Sequence, residues 1–512
     1  MTEKLLNYQI EHVEKITYSL ITYNRALDLS DAGTGKTYSS VAVCKTFGWK
    51  PFIICPKSVI FSWINVLKLM NCDFYGITNY ESLQNCKYFN KDGEKIKAKF
   101  LIKEETNDTN NNESDETEED EEKIKYSYKW IDSEIPKDII FIFDEVHKSK
   151  NISTNNGKLI SKLSELKHIK ILMLSATVVD KPKYFILTGY ILGLYEKYSE
   201  GRHWIKKAGK NFDNPMQGVN KKIVEYSSRM KITKLNDVFP DCLIEAEALE
   251  MDNAIEIQAQ YEIIRQVAED LKKKENSSIA LAKLTYARQR IEVLKIPSFI
   301  KLTLEHIKEN KSVVLFVNFT ETLKTLSEKL KTNCLIYGEQ TMEEREANIN
   351  DFNKDKVRIC ICNIKSGGCG INLHDTIGEH PRVSIISPTW SAQDLVQVLG
   401  RIFRAKTKTK VCQRIIFCKG TVEDGICSNI KEKISNIALL NDGDMDSYQI
   451  KGLIENNILN KENIIEDLTS NFENQFIKLT KLYEKREMLN KEIELIKQEI
   501  NLTENLIQTQ LK

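Results

Sequence analysis

The chain is 512 residues long, 41% hydrophobic and 29% charged, with a formal net charge of +1, the composition of a soluble globular protein of two or three domains. No run of 18 or more apolar residues occurs, and MTEKLLNYQIEHVEKI lacks an apolar h-region, so neither a membrane span nor a signal peptide is expected. The twelve cysteines are scattered without a C-x-x-C pair, which argues against a zinc ribbon or a disulfide framework and for reduced thiols inside the cell, in nucleus or cytoplasm.

In chain order, the first feature is DAGTGKT (Asp31–Thr37), between a short apolar run and a helix-favouring segment. PFIIC (51–55) then reads as a buried strand. The run EETNDTNNNESDETEEDEE (104–122) holds eleven carboxylates and no base; set against the net +1, they leave the rest of the chain at +12. Such a run cannot bury enough surface to order itself and reads as a partly disordered insertion within residues 84–130. DIIFIF (138–143) and KILMLS (170–175) are further buried strands, and a charged, helix-favouring connector is expected at 229–295. SVVLFVNF (312–319), KVRICIC (356–362) and RVSIIS (382–387) repeat the strand pattern. The expected domains are a first α/β lobe (1–228), the connector, a second α/β lobe (296–436) and a helical tail (437–512). In the tail, Phe472, Leu479, Leu482, Leu489, Ile493, Ile496, Ile500 and Ile507 fit an a/d heptad, predicting a coiled coil at about 472–510 that can fold back, pack on the body or self-associate.

DAGTGKT has the chemistry of a phosphate cradle. Backbone N–H groups of Gly33, Thr34, Gly35 and Lys36 point inward at a helix head, where the dipole favours anions. The two glycines permit positive φ, Lys36 reaches the β/γ-phosphates, and Thr37 can ligate Mg²⁺. Ser30 stands where the first glycine of G-x-x-x-x-G-K-T is expected. The other half of the site is the strand IIFIF, which ends in Asp144-Glu145-Val146-His147. There Asp144 can hold Mg²⁺ through water while Glu145 orients or deprotonates the attacking water. The remaining histidines lack metal-ligand spacing, so no metal besides Mg²⁺ is expected.

Nine ordered blocks, LNYQIEHV, DAGTGKT, FIICPKSVIFSW, ITNYESL, DEVHKSKN, LSAT, IYGEQT, SGGCGINL and QVLGRIFR, resemble those of superfamily-two helicases, in particular their Swi/Snf-type DNA-translocase branch, over about residues 5–430. The resemblance implies two RecA-like parallel-sheet lobes with ATP in the cleft between them. It implies adenine reading by Gln9, nucleic-acid contacts by Pro56, Lys57, Asn79 and Tyr80, and coupling of hydrolysis to strand movement by Ser175 and Thr177, with His147 beside them. It further implies that Ser366 and Asn372 touch the tracked strand, that Gly368 touches ATP, and that Gln397, Arg401 and Arg404 form an arginine-finger motif. Arg401 and Arg404 are expected on one helix face.

Ser175-Ala176-Thr177 is the form familiar from unwinding helicases, and Ala405-Lys406 replaces the G-Q pair usual in the Swi/Snf branch. Three readings therefore stand: a translocase on double-stranded DNA, a strand-separating DNA or RNA helicase, or an ATP-gated assembly factor recruited through the coiled coil; the short form of the chain resembles those encoded by large DNA viruses, which implies a role in viral transcription or genome handling. The cofactors implied are ATP and Mg²⁺.

Overall fold

The computed structural model describes residues 5–106, 125–179, 181–235, 238–272, 277–367, 371–389 and 391–423. The first lobe runs α1 (Asn7–Tyr23), β1 (Arg25–Asp28), α2 (Lys36–Phe47), β2 (Lys50–Cys55), α3 (Ile60–Met70), β3 (Gly76–Asn79), α4 (Tyr80–Gln84), β4 (Lys87–Phe89), β5 (Lys95–Lys97), β6 (Leu101–Thr106) and β7 (Lys125–Trp130). It continues through β8 (Ile139–Asp144), α5 (Asn155–Ser164), β9 (Lys170–Leu174), α6 (Phe185–Leu192), α7 (Gly201–Ala208), α8 (Pro215–Ile223) and β10 (Ser227–Ser228). Eight strands form one sheet in the order β10-β1-β9-β8-β2-β3-β4-β5, parallel up to β3, with β4 and β5 added antiparallel.

Side chains alternate across this sheet, as strand geometry requires. Ile53, Cys55, Ile140, Ile142, Leu172 and Leu174 join Val41, Val43, Trp63 and Leu67 in one core. Phe52, Ile54, Phe141, Phe143, Ile171 and Met173 join Leu159, Leu163 and Phe185 in another. Because both faces are covered, the strands read as unbroken apolar runs. The antiparallel β6–β7 ribbon is seated on the second of these cores: Phe100 stacks on Trp130, with ring centroids 5.8 Å apart, and both meet Phe141 edge-on.

The second lobe contains β11 (Cys242–Leu249), α11 (Ile296–Lys308), β12 (Ser312–Val317), α12 (Thr320–Leu330), β13 (Leu335–Ile336), α13 (Met342–Asn353), β14 (Ile359–Asn363), α14 (Ile364–Gly367), β15 (Arg382–Ile386), α15 (Ala392–Leu399) and β16 (Val411–Cys418). Its parallel sheet has the order β11-β16-β15-β12-β14-β13. Between β11 and α11, helices α9 (Ala254–Lys272) and α10 (Ser277–Leu294) pack on each other and belong to a unit of their own.

Three expectations change. The connector is not wholly helical: CLIEAEAL, rich in helix formers, is strand β11, because pairing with β16 along its whole length overrides local propensity. Arg401 and Arg404 lie beyond the end of α15 at Leu399, not on a shared helix face. The flanks of the acidic insertion form the register-matched ribbon β6–β7, while 107–124 lies outside the described residues. So do Gly368 and the heptad tail. No helix among the described residues is long and apolar enough to cross a membrane.

Candidate ATP site and the hydrogen bonds that link the lobes

In a parallel sheet, functional loops gather at the carboxyl ends of the strands. Here β1 delivers the loop 29–35, β8 delivers Asp144 and Glu145, β9 delivers Ser175 to Thr177, and β2 delivers Pro56 and Lys57. Gly33 and Gly35 have φ of +88° and +93°, which suits glycine, and space demands glycine too. A Cβ on Gly35 would sit 2.3 Å from Gln9 Nε2, and one on Gly33 would sit 2.9 Å from Arg404 Cγ. Gln9 is buried and donates from Nε2 to the Thr34 carbonyl at 3.0 Å, while its Oε1 accepts from Leu6 N at 2.9 Å. The Tyr8 hydroxyl donates to the same carbonyl at 2.9 Å. Lys36 Nζ donates to the carbonyls of Ser30 (2.9 Å) and Asp31 (3.3 Å), drawing the loop around its own ammonium.

The absent first glycine has a structural counterpart nearly 200 residues away. Ser30 Oγ accepts from Met230 N at 2.9 Å, and the Asp31 carboxylate accepts from Arg229 Nη2 at 2.8 Å and from Ile232 N at 2.9 Å. Arg229 Nη1 also donates to the Leu29 carbonyl. The loop is thus laced to the segment that follows β10, and its polar residues replace the conformational freedom of a glycine with fixed partners. Beneath it, Asp28 accepts from Ser30 N at 2.8 Å and pairs with His12 Nε2 at 3.0 Å, both side chains 2% exposed. Burial pushes the Asp28 carboxyl up, but His12, Lys36 and the Ser30 hydrogen bond outweigh it and hold the group below the usual range. A depressed value means the pairing stabilises above about pH 4 and is lost as the pH falls through the folded-state value. His12→Ala is therefore expected to cost about 3–5 kcal/mol at neutral pH, read from the denaturation midpoint, because it strands a buried carboxylate. The deficit should narrow on acidification; a deficit equal at pH 7 and pH 4 would assign it to lost packing instead.

The acid pair is held on several sides. Trp63 Nε1 donates to Asp144 Oδ2 at 2.9 Å, and the Tyr80 hydroxyl donates to the Asp144 carbonyl at 2.8 Å. Burial and the neighbouring Glu145 charge push the Asp144 carboxyl up, partly countered by Trp63 and Lys36. Glu145 sits at φ +54°, a left-handed conformation that costs a non-glycine residue and marks functional sites. Burial pushes its carboxyl up, but His147, Lys36 and Arg401 more than offset this and keep it ionised. His147 Nδ1 lies 3.3 Å from Glu145 Oε2 and 3.1 Å from Ser175 Oγ. Hard oxygen donors from Thr37 and an ionisable Asp144, beside a cradle whose two positive-φ glycines a Cβ would crowd, fit a magnesium-bound triphosphate.

The second lobe closes the site. His147 Nε2 is 3.2 Å from Gln397 Nε2, Gln393 Nε2 donates to the Thr177 carbonyl at 3.1 Å, and Lys150 Nζ donates to Gln393 Oε1 at 2.9 Å. Gly400 packs on Ala32, where a Cβ would meet another at 2.5 Å. Arg401 and Arg404 both donate to the Ile371 carbonyl, at 3.3 and 3.1 Å, and both act electrostatically on Glu145. Burial and the Arg401 charge push the Arg404 guanidinium down to about 9, and its Nε is buried without a hydrogen-bond partner.

The structure thus brings together Gln9, Gly33, Thr34, Gly35, Lys36, Asp144, Glu145, His147, Ser175, Thr177, Gln397, Arg401 and Arg404. Lys57 and Asn372 are exposed, and Ser366 lies in α14. Asn79 and Tyr80, expected as nucleic-acid contacts, are instead buried, at 9% and 3% exposure; Asn79 donates to Glu81 and Tyr80 braces the Asp144 backbone. Sequence reasoning gave no chemical role to Trp63, Lys150 or Arg229. Lys150 could have been suspected from its place in DEVHKSK, but Arg229 carries no local signal. Asp355, Glu379 and His380 bring ligand-type atoms within 4.8 Å of one another, but Asp355 is already paired with Arg382 at 2.7 Å.

Residues 2–180 match a family profile described as "Type III restriction enzyme, res subunit", and residues 294–406 match "Helicase conserved C-terminal domain". A candidate ATP-dependent RNA helicase of Acanthamoeba polyphaga mimivirus is 35% identical over 471 residues, 87% of this chain and 85% of that protein. The human DNA repair and recombination protein RAD54B is 25% identical over 149 residues, 28% of this chain and 16% of its own length. Among solved structures, the Sulfolobus solfataricus SWI2/SNF2 ATPase core in complex with dsDNA aligns over 87% of this chain and 94% of that one, at 18% identity and a TM-score of 0.33. With a relative matched over most of both chains and a helicase C-terminal profile on the second lobe, the chain belongs to the superfamily-two helicases and is an ATP-hydrolysing enzyme of the helicase and translocase kind.

Proposed function

We propose that the chain is a nucleic-acid-stimulated ATPase of the Swi/Snf type that translocates on double-stranded DNA. One observation carries the reading: the phosphate loop and acid pair of the first lobe meet Arg401 and Arg404 of the second, and hydrogen bonds cross the same seam through His147–Gln397 and Thr177–Gln393. In this reading Lys36 grips the β/γ-phosphates, and Glu145, kept ionised by His147, orients the attacking water and accepts its proton. Arg404 and Arg401 meet the charge that develops on the γ-phosphate. Magnesium, when bound through Thr37 and Asp144, neutralises charge on the phosphate oxygens. Nucleotide holds the lobes closed and hydrolysis releases them, so differential affinity for the closed state drives stepping along a strand held by Lys57, Ser366 and Asn372.

The test compares ATP hydrolysis with duplex DNA, single-stranded DNA and RNA at two salt concentrations. Stimulation by duplex DNA that weakens steeply with salt is expected, since phosphates dominate such contacts. No stimulation by any of the three would sink the reading. A second reading, an RNA helicase, is favoured by the name of the mimivirus relative and by Ser175-Ala176-Thr177. It requires stimulation by RNA above duplex DNA and unwinding of a tailed duplex. The same relative fits a viral setting for either activity.

A further inference from the structure

Trp63 has no part in the scheme above, yet it is among the largest fully buried side chains and donates its indole N–H to Asp144 Oδ2. Its position in the chain gives that bond a meaning. Strand β2 ends at Cys55, the segment Pro56–Val59 turns at the surface with Lys57 exposed, and α3 begins at Ile60. Trp63 lies in the first turn of that helix, six residues from Lys57. Lys148, also exposed, is within electrostatic reach of Cys55 at the end of the same strand. A cationic surface turn and a carboxylate of the acid pair are therefore joined by one rigid aromatic lever. Its ring is buried in the same core as Val41, Val66 and Leu67, and close packing there ties its movement to that of its helix.

Tyr80 supplies the contrast. It braces the backbone carbonyl of Asp144, and the segment before it is buried at Asn79. That contact fixes where the acid stands and offers nothing for an outside ligand to push. The Trp63 contact reaches a carboxylate oxygen and leads back to the surface.

We propose that Trp63 is a positioning residue that transmits nucleic-acid engagement of the Pro56–Val59 turn to the carboxylate of Asp144, making it the switch through which the tracked strand accelerates ATP hydrolysis. This rests on the functional reading above. Displacing the turn by a fraction of an ångström would change the 2.9 Å indole bond and with it the orientation of the carboxylate that would hold Mg²⁺.

The experiment compares wild type, Trp63→Phe and Tyr80→Phe in the full chain. Three quantities are measured: hydrolysis with and without saturating duplex DNA or RNA, the dissociation constant for a labelled duplex, and the Mg²⁺ concentration at half-maximal rate. Trp63→Phe keeps the aromatic volume and removes the donor. Its stimulated-to-unstimulated ratio should fall about tenfold, a hydrogen bond to an ionised group being among the stronger ones. Its dissociation constant for the duplex should stay within about twofold, since the residue is buried away from the ligand. Tyr80→Phe should lower both rates together and leave the ratio alone. In wild type, nucleic acid should lower the Mg²⁺ requirement, and Trp63→Phe should abolish that response. An unchanged ratio in Trp63→Phe, or equal losses in both rates, overturns the inference while leaving the nucleic-acid-stimulated ATPase intact. If Trp63→Phe does not fold, the wild-type magnesium titration decides: a requirement indifferent to nucleic acid overturns it. A wild type unstimulated by any nucleic acid removes the functional reading and this inference with it.

Discussion

Glu145→Gln should leave ATP bound and nearly unhydrolysed, with turnover lower by about 10²–10⁴-fold, the range that a positioned general base supplies. The amide keeps the size of the side chain and loses the negative charge that His147, Lys36 and Arg401 are arranged to preserve. The left-handed backbone at this position is one that Gln can occupy at similar cost. Phosphate release measured beside equilibrium binding of a labelled nucleotide separates the two effects. A rate within about tenfold of wild type would place the base elsewhere, whereas loss of binding would mean that the charge shapes the loop rather than the water.

Arg404→Ala should cost about 10³–10⁵-fold in turnover with only a modest change in nucleotide affinity, as expected of an arginine finger. Arg401 and Arg404 are not equivalent. Arg401 is spread over the carbonyls of Gln397 and Ile371, holding the second-lobe loop in shape. Arg404 lies against Gly33 and keeps a buried Nε without a hydrogen-bond partner. It is the better placed of the two to reach a phosphate oxygen. Lys should not substitute for it, because a point charge cannot reproduce the planar fork of donors. A loss below tenfold in Arg404→Ala would transfer the role to Arg401.

Much of this was legible in the sequence, and the reasons are physical. Six buried strands announced themselves because both faces of a parallel sheet are covered, which leaves runs such as IIFIF with no polar interruption. DAGTGKT and DEVH were readable because each packs its chemistry into a few consecutive residues. What stayed hidden depends on partners distant in the chain. Nothing near Ser30 and Asp31 reveals that residues 229–232 hold them, and nothing in VIFSW shows that its tryptophan meets an acid 81 residues on. β11 was hidden for a related reason: its Glu, Ala and Leu favour a helix until β16 is available as a partner. Tyr80 entered only through the resemblance of its block to a nucleic-acid-contacting loop, and only the fold reveals that it is buried with its hydroxyl on the Asp144 carbonyl.

The β6–β7 ribbon has a consequence for how this lobe can be altered. Thr106 and Lys125 are cross-strand neighbours, so the backbone departs and returns at one rung, above a base fixed by the Phe100–Trp130 stack. The lobe is thereby insulated from whatever is spliced between those two residues. Doubling the intervening length adds only about 0.6 kcal/mol of closure entropy, which makes this rung a natural port for grafting a foreign peptide or a reporter without touching the motor.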